Sequence, residues 1–77
     1  MYTNILALLY PVIKDFPEAP LSVALLAKGL AIEEAELSDC FTHWFKEGLI
    51  RKKYATIEVY KLTEKGLLAV RRAYDNQ

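Results

Sequence analysis

Residues 45–66 read FKEGLIRKKYATIEVYKLTEKG, and the period of the apolar side chains changes inside that stretch. Ahead of it, Leu37, Cys40, Phe41 and Trp44 fall at i, i+3, i+4 and i+7, which predicts a helix over 33–47 with that stripe facing inward. Gly48 suits the left-handed position just past a helix C-terminus, so the helix ends there. Beyond it, 49–54 and 57–62 are β-prone runs separated only by Ala55 and Thr56, which predicts a hairpin. The connection has neither Asn-Gly nor Asp-Gly, so its turn type stays open. Thr63 then stands as the N-cap of a last helix, with Leu67, Val70, Ala73 and Tyr74 available for packing.

Working back towards the N-terminus, Ser22 can cap a short helix through about Leu30, with Val23, Leu26, Ala27 and Leu30 on its core side. Pro17 and Pro20 bracket the loop before it, and a tight turn through Ala31 and Ile32 follows it. A first helix is predicted over Thr3 to Phe16, capped by Thr3 or Asn4, with Ile5, Leu8, Leu9, Val12, Ile13 and Phe16 forming its stripe. Pro11 cannot donate to the carbonyl of Ala7, so a bend or an early end is expected. Tyr2, Leu6 and Tyr10 form a second apolar stripe at i, i+4 spacing. A helix apolar on two faces is usually covered on both, which makes these three the candidate interface of a homodimer. The order is helix, helix, helix, strand, strand, helix: a mainly α (α+β) chain forming one domain over 1–77.

Composition narrows the class. With 77 residues, 53% of them apolar, and ten basic side chains against ten acidic, the chain is too apolar and too balanced for disorder. A net charge of zero excludes bulk polycation behaviour, so any nucleic-acid contact must come from local charge segregation. A lone cysteine cannot close an internal disulfide, which points to a reducing compartment. The longest uncharged stretch, Met1 to Ile13, falls short of the ~20 residues of a membrane span. The first basic residue, Lys14, follows that stretch instead of preceding it as in a secretory signal, so a cytoplasmic protein with no membrane partner is expected.

Enzyme motifs are missing. There is no phosphate-cradling Gly-rich loop, no His-Glu-x-x-His and no Cys-x-x-Cys. Cys40 and His43, three residues apart, have the chemistry of a thiolate–imidazole pair. The better reading puts Cys40 in the inward stripe as a small apolar residue, with His43 beside Asp39 and Glu47. No catalytic residue, metal site or cofactor is therefore expected.

Three phrases, in order, resemble the winged-helix superfamily. Leu26-Ala27-Lys28-Gly29-Leu30-Ala31-Ile32 is similar to the family's helix–turn–helix entry. Phe45-Lys46-Glu47-Gly48-Leu49-Ile50 resembles the end of its recognition helix, and Tyr60-Lys61-Leu62-Thr63-Glu64-Lys65-Gly66 the strand-to-helix phrase of multidrug-resistance-type repressors. The resemblance implies a winged helix and a small DNA-binding transcriptional regulator. Two positions depart from the pattern. Ala31 replaces a glycine that tolerates positive φ, and Glu33 stands where Ser, Thr or Asp usually caps the recognition helix.

The charge map carries what the residues say about partners. Residues 33–47 set Glu33, Glu34, Glu36, Asp39 and Glu47 against Lys46, net minus four. Residues 48–77 set seven bases against Glu58, Glu64 and Asp75, net plus four. Ser38, Thr42 and Lys46 lie on the outward strip of the third helix and can reach a duplex, but Asp39 and the glutamates beside them repel phosphates. Arg51, Lys52 and Lys53 on the hairpin are the stronger phosphate footprint, and they read equally well as a solvated surface. The leading expectation is a duplex-DNA-binding regulator that acts as a dimer, using Ser38, Thr42, Lys46, Arg51, Lys52 and Lys53. The alternative is a protein-docking module that uses the acidic third helix or the apolar first helix.

Overall fold

A computed structural model describes residues 2–53 and 59–76, with side chains described from Asn4 onward. The chain is α+β: α1 (Tyr2–Ala7), α2 (Tyr10–Ile13), β1 (Leu21–Ser22), α3 (Val23–Leu30), α4 (Glu34–Lys46), β2 (Ile50–Lys52), β3 (Val59–Leu62) and α5 (Glu64–Asp75). The strands form one antiparallel sheet in the order β1-β3-β2. None of the described helices is long and apolar enough to cross a membrane.

The predicted first helix is two pieces. α1 stops at Ala7, and Pro11 sits in the first turn of α2, where its missing N–H would have no helical partner anyway. The proline ring excludes the i−4 carbonyl, here that of Ala7, so the helix breaks one turn before the proline. Ile5, Leu9 and Ile13 keep the inward stripe, whereas Leu8 and Phe16 leave it for the surface.

The second stripe is not a free face. Leu6 is only 6% exposed, because α5 of the same chain packs over α1. Tyr10 is half-buried and stacks on Tyr74 of α5, ring centroids 4.1 Å apart and 12° from parallel. Within the chain, α5 thus covers Leu6, and its Tyr74 covers part of Tyr10. The side chain of Tyr2 lies outside the described residues.

α3 begins and ends where its end residues dictate. The Ser22 hydroxyl accepts from the Leu25 amide at 3.5 Å. At the other end Ala31 takes φ 56° and ψ 43°, the left-handed conformation, which turns the Ile32 amide back onto the Ala27 carbonyl at 2.9 Å. An L-residue with a Cβ is strained there by roughly 1–2 kcal/mol, whereas glycine is not. Ala31→Gly is expected to raise stability by about 0.5–1 kcal/mol after the entropy of the freer unfolded chain is subtracted. A thermal melt reads this at ~4–8 °C per kcal/mol for a domain this small, and a lowered Tm would contradict it.

α4 carries the core. Leu37, Cys40, Phe41 and Trp44 are all buried, as their spacing predicts, and Phe41 meets both Trp44 and Tyr60 at ring-centroid distances of 5.4 and 5.3 Å. Glu33 makes no side-chain cap to the helix, as expected of a glutamate at that position. Gly48, at φ 76°, reverses the chain so that the Leu49 amide reaches the Trp44 carbonyl at 2.9 Å.

Two features of the sheet differ from the sequence reading. β1 is new: the segment expected to be loop up to Ser22 ends in two strand residues, Leu21 opposite Tyr60 and Ser22 opposite Val59. Two residues are too few for a period to show. The strands predicted over 49–54 and 57–62 are described over Ile50–Lys52 and Val59–Leu62, with Ile50 opposite Leu62, Arg51 opposite Lys61 and Lys52 opposite Tyr60. A two-residue turn at Ala55 and Thr56 would pair Arg51 with Tyr60, so the register is displaced by one residue. The turn itself lies outside the described residues.

α5 is sewn to the α4–β2 turn. The Thr63 hydroxyl accepts from the Gly66 amide at 3.1 Å, donates to the Gly48 carbonyl at 2.6 Å, and the Thr63 amide donates to the Leu49 carbonyl at 2.9 Å. Lys65 Nζ adds a third tie to the turn, at the Glu47 carbonyl, 3.0 Å away.

Candidate functional site

The displaced register decides where the hairpin's charges go. Side chains alternate across a strand, and residues opposite one another share a face. Ile50 and Leu62, a paired couple, are buried, so the next couple, Arg51 and Lys61, takes the outer face. Lys53 lies two residues beyond Arg51 on the same side, its amide donating to the Val59 carbonyl at 2.8 Å. Arg51, Lys52 and Lys53 are all exposed.

A shallow depression of about 340 Å³ lies here, lined by Arg51, Lys52, Lys53, Lys61 and Glu18. Glu18, from the segment between α2 and β1, is the one anion among the described residues of that lining. Its Oε2 accepts from Lys61 Nζ at 2.9 Å. The hydrogen bond and charge of Lys61, with smaller contributions from Arg51 and Lys53, hold the Glu18 carboxyl below the usual carboxylate range. It is therefore anionic at neutral pH.

The α4 candidates do not line this depression. Lys46 and Thr42 are exposed, but the Thr42 hydroxyl donates to the Ser38 carbonyl one turn back at 3.1 Å. Ser38 is half-buried in a groove between α3 and α4 that Glu34 and Ala35 share. Glu33, Glu34, Glu36 and Asp39 are exposed and make no ion pair among the described residues. A duplex laid along the N-terminal half of α4 would meet that negative charge.

Cys40 and His43, three residues apart on α4, differ in burial: Cys40 is buried and His43 exposed. Burial first, then Glu36 and Asp39, pushes the Cys40 thiol upward, away from the thiolate form. His43 Nε2 lies 3.8 Å from Glu47 Oε1, one turn along the helix. Among the described residues no three His, Cys, Asp or Glu side chains converge on a metal position.

Sequence reasoning finds Arg51, Lys52 and Lys53 but not the two residues that complete the depression. Lys61 carries no mark of its role because its face depends on the register, which the turn composition leaves open. Glu18 lies 43 residues from its partner in a proline-bracketed loop, where no period operates. No family model, curated protein or solved structure matches the chain.

Proposed function

We propose that the chain is a winged-helix DNA-binding protein, a small transcriptional regulator, that meets duplex DNA with the outer face of β2 and β3. The observation that carries this reading is the gathering of Arg51, Lys52, Lys53 and Lys61 in one depression, all but Glu18 of its described lining residues being cationic. The element order around it supports the family half of the reading. α3, the left-handed turn at Ala31, α4, the Gly48 turn and the β2–β3 pair follow one another as the resemblance implies. In this arrangement α4 contributes Lys46 near its C-terminal end, and its acidic N-terminal half stays away from the phosphates.

The test is a salt titration of binding to mixed-sequence duplex DNA. Three phosphate contacts by Arg51, Lys52 and Lys53 give a log–log slope of about −2.7, at ~0.9 per phosphate. Absence of duplex binding at about 50 mM salt, where screening is weak, decides against the reading. One observation favours a second reading, a module that docks a basic protein on α4. Glu33, Glu34, Glu36 and Asp39 are exposed and without an ion pair among the described residues.

A further inference from the structure

Arg51 and Lys61 stand directly opposite one another across β2 and β3, on the same face. Like charges in that relation destabilise a sheet unless an anion lies between them. Lys53 adds a third cation on that side, and among the described residues of the lining the anion is Glu18. The two partners of that ion pair are held differently. The Lys61 side chain is 22% exposed and fixed in the sheet, whereas that of Glu18 is 82% exposed and meets the sheet through one hydrogen bond. An ion pair with one partner so exposed contributes little to stability, so it is easily exchanged.

A carboxylate oxygen at 2.9 Å from an ammonium occupies the place a phosphate oxygen takes in a charge-assisted hydrogen bond. We infer that the depression between Arg51, Lys53 and Lys61 is a phosphate-binding site in which Glu18 is an internal stand-in for the ligand. A phosphate that enters replaces the Glu18 carboxylate on Lys61, and the carboxylate swings into solvent. Glu18 thereby sets the affinity of the basic face without touching the ligand. The source of the phosphate, a duplex backbone, rests on the function proposed above; the site itself does not.

Duplex affinity of wild type, E18Q, K61Q and E18Q/K61Q, measured by fluorescence anisotropy from about 50 to about 300 mM salt, tests the exchange. E18Q leaves Lys61 without a carboxylate that the phosphate must displace, so affinity at the lowest salt rises about tenfold. In the K61Q background the same change at Glu18 gains under about threefold, because no cation is released to replace a counterion. No gain in E18Q overturns the site. An equal gain in both backgrounds also overturns it, since Glu18 would then act only as a distant repulsive charge.

A second arm separates the site from the duplex reading. Inorganic tripolyphosphate is added to isotope-labelled protein, and the amides of Arg51 and Lys61 are expected to shift at lower concentration in E18Q than in wild type. If that holds while no variant binds duplex, the site stands as one for free phosphates and the duplex proposal falls. If tripolyphosphate moves neither amide, the site falls.

Discussion

Gly66→Ala is expected to destabilise the protein by about 3 kcal/mol or more. Gly66 is buried in the first turn of α5, and a Cβ on it would run into the carbonyl carbon and oxygen of Leu49 and the Cδ2 methyl of Leu62. The obstruction is backbone, so no rotamer relieves it. Nor can Leu49 retreat, since its carbonyl accepts from the Thr63 amide and its own amide is tied to Trp44. Relief requires α5 to lift off the α4–β2 turn, breaking the Thr63 bonds to Gly48 and Leu49. Overpacking of this kind, with hydrogen bonds broken, costs upwards of ~4 kcal/mol, against ~1 kcal/mol gained in helix propensity. A domain of this length has roughly 4–12 kcal/mol in all, at ~0.05–0.15 per residue. Gly29, exposed in α3 with no atom near its missing Cβ, is the internal comparison. Gly29→Ala is expected to stabilise by up to about 1 kcal/mol. Urea denaturation followed by circular dichroism reads both, and a Gly66→Ala midpoint close to wild type would show that the joint is not tight.

That joint also explains which parts of the molecule are legible from sequence. The phrase Thr63-Glu64-Lys65-Gly66 is a local device: a cap, a donor to Glu47, and a residue without a side chain where α5 touches Leu49. Local devices leave marks within a few residues, and so do the α4 stripe, the Gly48 turn and the break enforced by Pro11. What the sequence hides depends on distance along the chain. Leu6 reads as needing a partner because nothing near it in sequence reveals that α5, some sixty residues on, lies over α1. The site divides in the same way. Arg51, Lys52 and Lys53 announce themselves as a run, but Lys61 joins them only through register, and Glu18 only through the short strand β1 that brings its loop beside β3.

Replacing Arg51, Lys52 and Lys53 together with alanine is expected to weaken duplex binding by roughly 10³-fold at about 50 mM salt, at ~0.9 counterions for each phosphate no longer neutralised. All three side chains are exposed, while the strand is held by Ile50 and Leu62 beneath them, so the fold should survive the change. The salt slope should flatten by about 2.7, and the weakening should be the same for every sequence, because phosphates carry no base information. The acidic helix supplies the complementary measurement. Glu34→Gln with Asp39→Asn removes two exposed charges of the sign carried by DNA, and should tighten the same binding. A module that docks a basic protein on α4 behaves in the opposite sense. It binds duplex weakly to begin with, is indifferent to the triple alanine variant, and loses its partner when Glu34 and Asp39 are neutralised. The two readings therefore differ in the sign of one effect and the presence of another, and anisotropy on these two variants separates them.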